Sequence, residues 1–176
     1  SVGKFKSKLS VLGFKSPTPE HTESCENSLI YDIDSSHPSY FAVVTSNAIN
    51  FIRWSGYKTK TYENDYNTDF FRAGKGGYIA VFNRENDKTD NKIAFFNKSG
   101  KLKAEIKYNG ILSDIRTFGG HIYCMSETEI SLIDKEGKVL RKASCGFGAV
   151  KLAVTGSNTV AVITDNKIEK AELERE

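Results

Sequence analysis

The clearest pattern of apolar and polar positions lies in Lys92–Tyr108, KIAFFNKSGKLKAEIKY. A near-continuous apolar run, Ile93–Phe96, meets a polar turn, Asn97–Gly100. A second run, Lys101–Tyr108, then alternates charged with apolar residues. The pattern predicts two strands joined by a tight turn. It recurs along the chain. Ile130–Val139 matches Ile93–Leu102 almost position for position, and Ile49–Lys58 fits the same frame with Gly56 in the turn. Asn166–Ala171 is a weaker copy without the glycine, and Lys8–Gly13 reads as a fifth. Anchors at positions 9, 49, 93, 130 and 168 set a period of about 40 residues, the range of propeller blades.

Each period carries a second strand pair. Asp69–Ala73 precedes the glycine-rich Gly74–Gly77 and then Tyr78–Phe82. Ile111–Phe118, Gly119-Gly120 and His121–Met125 repeat that plan, as do Val150–Val154, Thr155–Asn158 and Thr159–Ile163. Four strands per period make a blade. Runs such as Val43-Val44, Tyr78-Ile79, Phe95-Phe96 and Ala161–Ile163 suit strands buried on both faces. The alternating segments 101–108 and 138–144 suit outer strands with one wet face. Only residues 167–176 have a helix-like composition, and their place in the repeat predicts a closing strand that frays into a charged tail.

The fold expected is all-β: a β-propeller, or a propeller segment of about four blades, built from four-stranded antiparallel sheets. The competing fold is a β-sandwich of regular hairpins. One domain spans 1–176, with complete blades at 28–63, 68–108 and 110–144 and a last blade at 149–176 lacking its fourth strand. Residues 1–27 read as a strand, 4–12, followed by a surface loop, Ser16–Asn27, which holds two of the three prolines. That first strand either closes the last blade into a ring or belongs to an earlier blade. The second option, a part of a larger propeller, is the one adopted.

Composition narrows the function classes. A chain of 176 residues, 39% hydrophobic and 27% charged, is globular material with room for a core. The net charge of +3, spread over 25 basic and 22 acidic residues, argues against a nucleic-acid partner. No apolar run approaches the roughly 20 residues of a membrane span, so no membrane contact is expected of this segment itself. Cys25, Cys124 and Cys145 show no metal spacing. They read as small buried thiols, with Cys124–Cys145 the one pair that neighbouring strands would join.

Candidate chemistry is sparse. Asn83–Asn91 is rich in oxygen ligands, with Asn86, Asp87, Asp90 and Asn91 the calcium candidates. It lacks the glycine and terminal glutamate of an EF-hand loop and reads as a solvated hairpin loop. Gly74–Gly77 lacks the lysine-serine or lysine-threonine ending of a phosphate loop and reads as a turn. His21, His37 and His121 have no paired spacing for zinc. Asp32 and Asp34 flank Ile33 as on a wet strand face. No G-x-S-x-G nucleophile motif is present. No catalytic residue, cofactor or metal is assigned, and the chain is not expected to be an enzyme. Among the aromatics of 51–82, the phases put Phe51, Phe71, Tyr78 and Phe82 inside. Tyr57, Tyr62 and Tyr66 fall in an outer strand and loop, where an exposed patch would bind a protein or a glycan.

The segments FAVVTSNAINFIRW (41–54), GYIAVFNREN (77–86), KIAFFNKSGKLKAEI (92–106), ISLIDKEGK (130–138) and VAVITDNKIEKAEL (160–173) carry a family resemblance. The chain resembles the C-terminal half of a domain-of-unknown-function family of Gram-positive, largely clostridial, proteins. The resemblance implies a short cytoplasmic stretch, one transmembrane helix and an extracytoplasmic propeller of WD40-like or PQQ-like blades. It implies a membrane-anchored, cell-surface protein and supplies no catalytic residues. The function expected is a non-catalytic interaction module for a protein, peptidoglycan or other glycan. The alternatives are a hydrolase or lyase with a site in the propeller funnel and a structural spacer.

Overall fold

A computed structural model describes residues 6–13, 18–74, 76–84, 87–146 and 148–175. Strands β1 (Lys6–Leu12) and β2 (Pro19–Glu26) form a two-stranded hairpin sheet. The first four-stranded sheet follows in chain order: β3 (Ile30–His37), β4 (Tyr40–Thr45), β5 (Ala48–Arg53) and β6 (Thr59–Glu63). The second is β7 (Asn67–Gly74), β8 (Gly77–Arg84), β9 (Asp87–Asn97) and β10 (Leu102–Asn109). The third has five strands, β11 (Asp114–Phe118), β12 (His121–Met125), β13 (Glu129–Ile133), β14 (Val139–Ser144) and a short C-terminal one described below. The last has three strands, β15 (Ala149–Gly156), β16 (Thr159–Thr164) and β17 (Ile168–Glu172). All pairing is antiparallel. The first strands of successive sheets lie side by side, β3 against β7, β7 against β11 and β11 against β15. The sheets therefore stack like blades whose inner strands share one side.

Side-chain alternation explains the stacking. Strands have a period of two, so each central strand presents apolar residues to both neighbours. Ala42, Val44, Ile49 and Phe51 of the first sheet meet Tyr78, Ala80 and Phe82 of the second. Ile79, Val81 and Ile93 face the other way and meet Ile115, Ile122 and Cys124 of the third. Tyr123, Met125, Ile130 and Leu132 then meet Leu152, Val160 and Val162 of the last. The β1–β2 hairpin covers the outer face of the first sheet, where Leu9 and Val11 reach Phe41, Val43 and Ile52. Between the third and last sheets, buried Asp114 pairs with Arg116 at 2.9 Å and accepts the Leu152 N–H at 3.0 Å. The Arg116 Nε–H donates to the Leu152 carbonyl at 2.9 Å.

The repeated turn has one construction. Gly100 N–H donates to Asn97 O at 2.9 Å, and Gly137 N–H donates to Asp134 O at 3.2 Å. Both glycines have positive φ, +72° and +86°. The Asn97 side-chain oxygen accepts the N–H of Ser99 and of Lys101, and the Asp134 carboxylate accepts the N–H of Glu136 and of Lys138. The Gly56 turn is one residue longer, closed by Arg53 N–H to Lys58 O at 3.0 Å.

Two expectations change. Most of the supposed loop Ser16–Asn27 is strand β2, which pairs with β1 from Lys6↔Glu26 to Leu12↔Pro19. Its sequence lacks the apolar signal, and across the hairpin Lys6 pairs with Glu26 at 3.2 Å and the Ser10 and Thr22 hydroxyls meet at 3.5 Å. Ser16 and Pro17 lie outside the described residues. Because β1 pairs with β2, it does not close the last sheet. Residues 168–175 form β17 and then β18 (Glu174–Arg175), which crosses back to pair with β14. Leu173, between them, is buried and donates its N–H to Asn158 O at 2.8 Å. The three cysteines are free thiols, in line with the sequence reading, and Cys124 and Cys145 are not paired. Cys124 faces the second sheet and Cys145 packs toward the last, on opposite faces of the third.

Candidate functional site

The joint between the hairpin and the first sheet is apolar at one end and polar at the other. On β5, Ile49 and Phe51 point to the second sheet, while Asn50 and Ile52 point to the hairpin. Ile52 meets an apolar partner set. Asn50 instead looks onto Cys25, Ser28 and Thr45 across a cleft of about 540 Å³. These polar residues are nearly as buried as the apolar core: Thr45 is 1% exposed, Ser28 6% and Asn50 7%. The cleft opens where the β4–β5 turn, Ser46-Asn47, and the chain at 64–66 leave the first sheet.

A buried polar group is costly without a hydrogen bond, and most of these have one. Thr61 Oγ donates to Asn50 Oδ1 at 2.8 Å. Asn50 Nδ2 lies 3.7 Å from the Cys25 sulfur, a weak acceptor. Ser28 Oγ donates to Asn47 Oδ1 at 3.1 Å and bonds to the Ser46 hydroxyl at 2.8 Å. Thr45 Oγ donates to Ala48 O and accepts the Ala48 N–H. Asn64 Nδ2 is buried with no partner. Burial and the nearby Glu23 push the Cys25 thiol up, against a smaller opposing effect of the Asn50 hydrogen bond. A protonated thiol is a poor nucleophile.

The rim is acidic. Glu23, Glu26, Glu63 and Asp65 stand around the opening. Glu26 pairs with Lys6 at 3.2 Å and Glu23 with His21 at 3.3 Å. Lys92 is the one cation among the described lining residues, and its ammonium is drawn aside. It lies 3.4 Å from Glu105 and 5.0 Å from the Tyr66 ring centre.

Tyr57, Tyr62 and Tyr66 do not form the exposed patch expected of them. Tyr57 sits in the β5–β6 turn, stacks on His21 at 4.6 Å and donates to Glu20 at 3.0 Å. Tyr62 packs on Phe82 and Phe96, and its hydroxyl donates to Glu105. Burial, and then that hydrogen bond, push the Tyr62 phenol up. Tyr66 donates to Asp90 at 3.3 Å, under the Arg84 guanidinium. Each ring is half-buried and each hydroxyl already has a carboxylate. Of the three, only Tyr62 borders the cleft.

The remaining candidates fall into structural roles. Asp87 caps Thr89, and Asp90 faces Arg84 and Lys107, so the 83–91 loop turns its carboxylates to the protein's own donors; Glu85 and Asn86 lie outside the described residues. The Gly74–Gly77 segment joins β7 to β8, with Lys75 outside the described residues. Asp32 accepts the Ile33 N–H, and Asp34 accepts from Ser36. Among the described residues, no three His, Cys, Asp or Glu side chains gather as a metal site. The cleft escaped the sequence reading because its lining runs from position 23 to 92 with no motif. One signal was present: Asn50, a carboxamide inside the apolar run Ile49–Ile52.

Comparison with known proteins fits this architecture. The model of a family of unknown function, DUF5711, matches residues 3–173. Among solved structures, the chain is similar to BamB from Moraxella catarrhalis, with 16% identity over 80% of this chain and 42% of that one and a TM-score of 0.55. It is also similar to Hsv2 of Kluyveromyces lactis, with 12% identity over 85% of this chain and 46% of that one and a TM-score of 0.52. Both are β-propeller proteins, and the fold here is that of a β-propeller. The chain spans less than half the length of either. No curated protein matches.

Proposed function

We propose a non-catalytic recognition role for this chain, which belongs to DUF5711, a family of unknown function. In this reading the propeller is a rigid scaffold, and the cleft beside the first sheet takes a hydroxyl-rich ligand, a glycan. The family resemblance supports display outside the cell, on a protein tethered by a membrane helix beyond this segment. The observation that carries the reading is the buried floor of Asn50, Ser28 and Thr45. Carboxamides and hydroxyls in a core-phase position cost stability relative to apolar residues. They are also the groups that match vicinal sugar hydroxyls, as donor and acceptor together. The half-buried Tyr62 ring adds a flat apolar edge.

The test is calorimetric titration of the chain with soluble oligosaccharides, alongside an assay for new reducing ends. Saturable heats that vanish in Asn50→Ala, with no reducing ends released, support the reading. Failure of every saccharide to bind removes the glycan partner. Release of reducing ends, abolished by substitution in the cleft, replaces the reading with a hydrolase.

A further inference from the structure

The cleft's charge points to a narrower ligand class, resting on the glycan reading above. Four carboxylates, Glu23, Glu26, Glu63 and Asp65, border it against one ammonium, Lys92. Lys92 is occupied by Glu105 and the Tyr66 face, while Glu26 and Glu23 have Lys6 and His21. Among the described residues, no cation pairs with Glu63 or Asp65, and both are exposed at the mouth. This acidic rim sits on a chain of net charge +3, so it is a local reversal of the overall charge.

A second observation comes from inside the cleft. The Asn50 amide is 7% exposed, and its two N–H groups have only the Cys25 sulfur as acceptor. The floor therefore offers N–H donors to a neutral oxygen, while the rim offers carboxylates to a cation. We infer that the cleft takes a saccharide bearing a free amine, an aminosugar, with its hydroxyls on the Asn50 floor and its ammonium between Glu63 and Asp65. A basic peptide answers the rim equally well. It does not answer the floor, where only Ala48, Cys25 and the edge of Tyr62 would receive an apolar anchor.

The experiment compares three probes by calorimetry: the glucosamine tetramer, the N-acetylglucosamine tetramer and tetralysine. The glucosamine tetramer is expected to bind about five- to tenfold more tightly than its acetylated counterpart. The double variant Glu63→Gln/Asp65→Asn should erase that difference and leave binding of the acetylated tetramer in place. Both substituted residues are exposed, and an unchanged thermal midpoint checks that the variant folds. Equal affinity for the two sugars, or a preference that survives the double variant, overturns the charge inference and leaves the glycan reading standing. Tighter binding of tetralysine than of glucosamine overturns the sugar class. Binding of neither sugar overturns the aminosugar inference, and the glycan reading is then decided by the wider set of oligosaccharides named above.

Discussion

The two faces of the first sheet are buried by different chemistry. One closes with Ile49, Phe51, Ala42 and Val44 against the aromatic side chains of Tyr78, Phe82 and Phe96. The other closes with Phe41, Val43 and Ile52 and then gives way to Asn50 and a cleft. The strands are the same on both faces; only alternate positions differ. A joint that is apolar throughout excludes water and fixes the angle between sheets. A joint that stops half-way still fixes the angle and leaves a solvated pocket bordered by rigid strands. The floor of that pocket is set by strands, while Asn47, Asn64 and Asp65 at its mouth come from the connections between them.

The largest test of this contrast is Phe82→Ala. Phe82 is fully buried in the apolar joint, and truncation should cost about 3–5 kcal/mol in urea unfolding. A loss below about 1 kcal/mol would mean that this joint does not hold the sheets. Gly100→Ala and Gly137→Ala come next, because they place the same change in two copies of one turn. A Cβ at Gly100 would run into the Phe51 ring, within the apolar joint, in addition to the strain of φ +72°. A Cβ at Gly137 meets Ile106 only at 3.6 Å. The losses should be about 2–4 and about 1 kcal/mol. Equal losses would show that backbone strain alone sets both.

Alkaline pH probes the apolar joints as a group. Burial pushes the Cys124 thiol, Tyr78 and Tyr108 each up to about 12. These groups are neutral when protonated, and the folded chain holds their protons more tightly than the unfolded one. Stability should therefore be full below about pH 8.5 and fall as the pH rises beyond it. Thermal midpoints that stay level from pH 8 to 10.5 would refute this. The smallest expected change in stability is that of Asn50→Leu, within about 1 kcal/mol of the parent by urea unfolding. It should nonetheless abolish saccharide binding, which separates the polar face from the apolar one by function. A large loss of stability instead would make Asn50 a structural residue.

The repeat made most of the scaffold legible. Ile93–Phe96 and Ile130–Ile133 are apolar on both faces because sheets cover both faces, and Gly100 and Gly137 mark the turns between them. β2 was not legible. Its sequence, Pro19–Glu26, has no alternation of apolar residues, and its pairing with β1 spans 7 to 20 positions. The helix-like composition of 167–176 does not prevail over the repeat, which places a strand there. Lys and Glu residues suit a helix surface, and they suit equally an edge strand, where Lys167–Glu169 and Lys170–Glu172 pair two residues apart, each along one side of the strand. Tyr57, Tyr62 and Tyr66 were placed correctly outside the central strands. The sequence could not show that Glu20, Glu105 and Asp90, 24 to 43 residues away, would occupy their hydroxyls.

The crossing of β18 onto β14 has a mechanical consequence. A pull applied along the chain beyond Leu173 does not reach the edge of the last sheet directly. It first loads the backbone pairs Arg141↔Arg175 and Lys142↔Glu174, and then the buried Leu173 with its bond to Asn158. Only when those yield would β17 begin to peel from β16, one hydrogen bond at a time. The tail works as a back-stitch that spreads tension over two sheets, so an edge strand that would otherwise unzip is shielded from force.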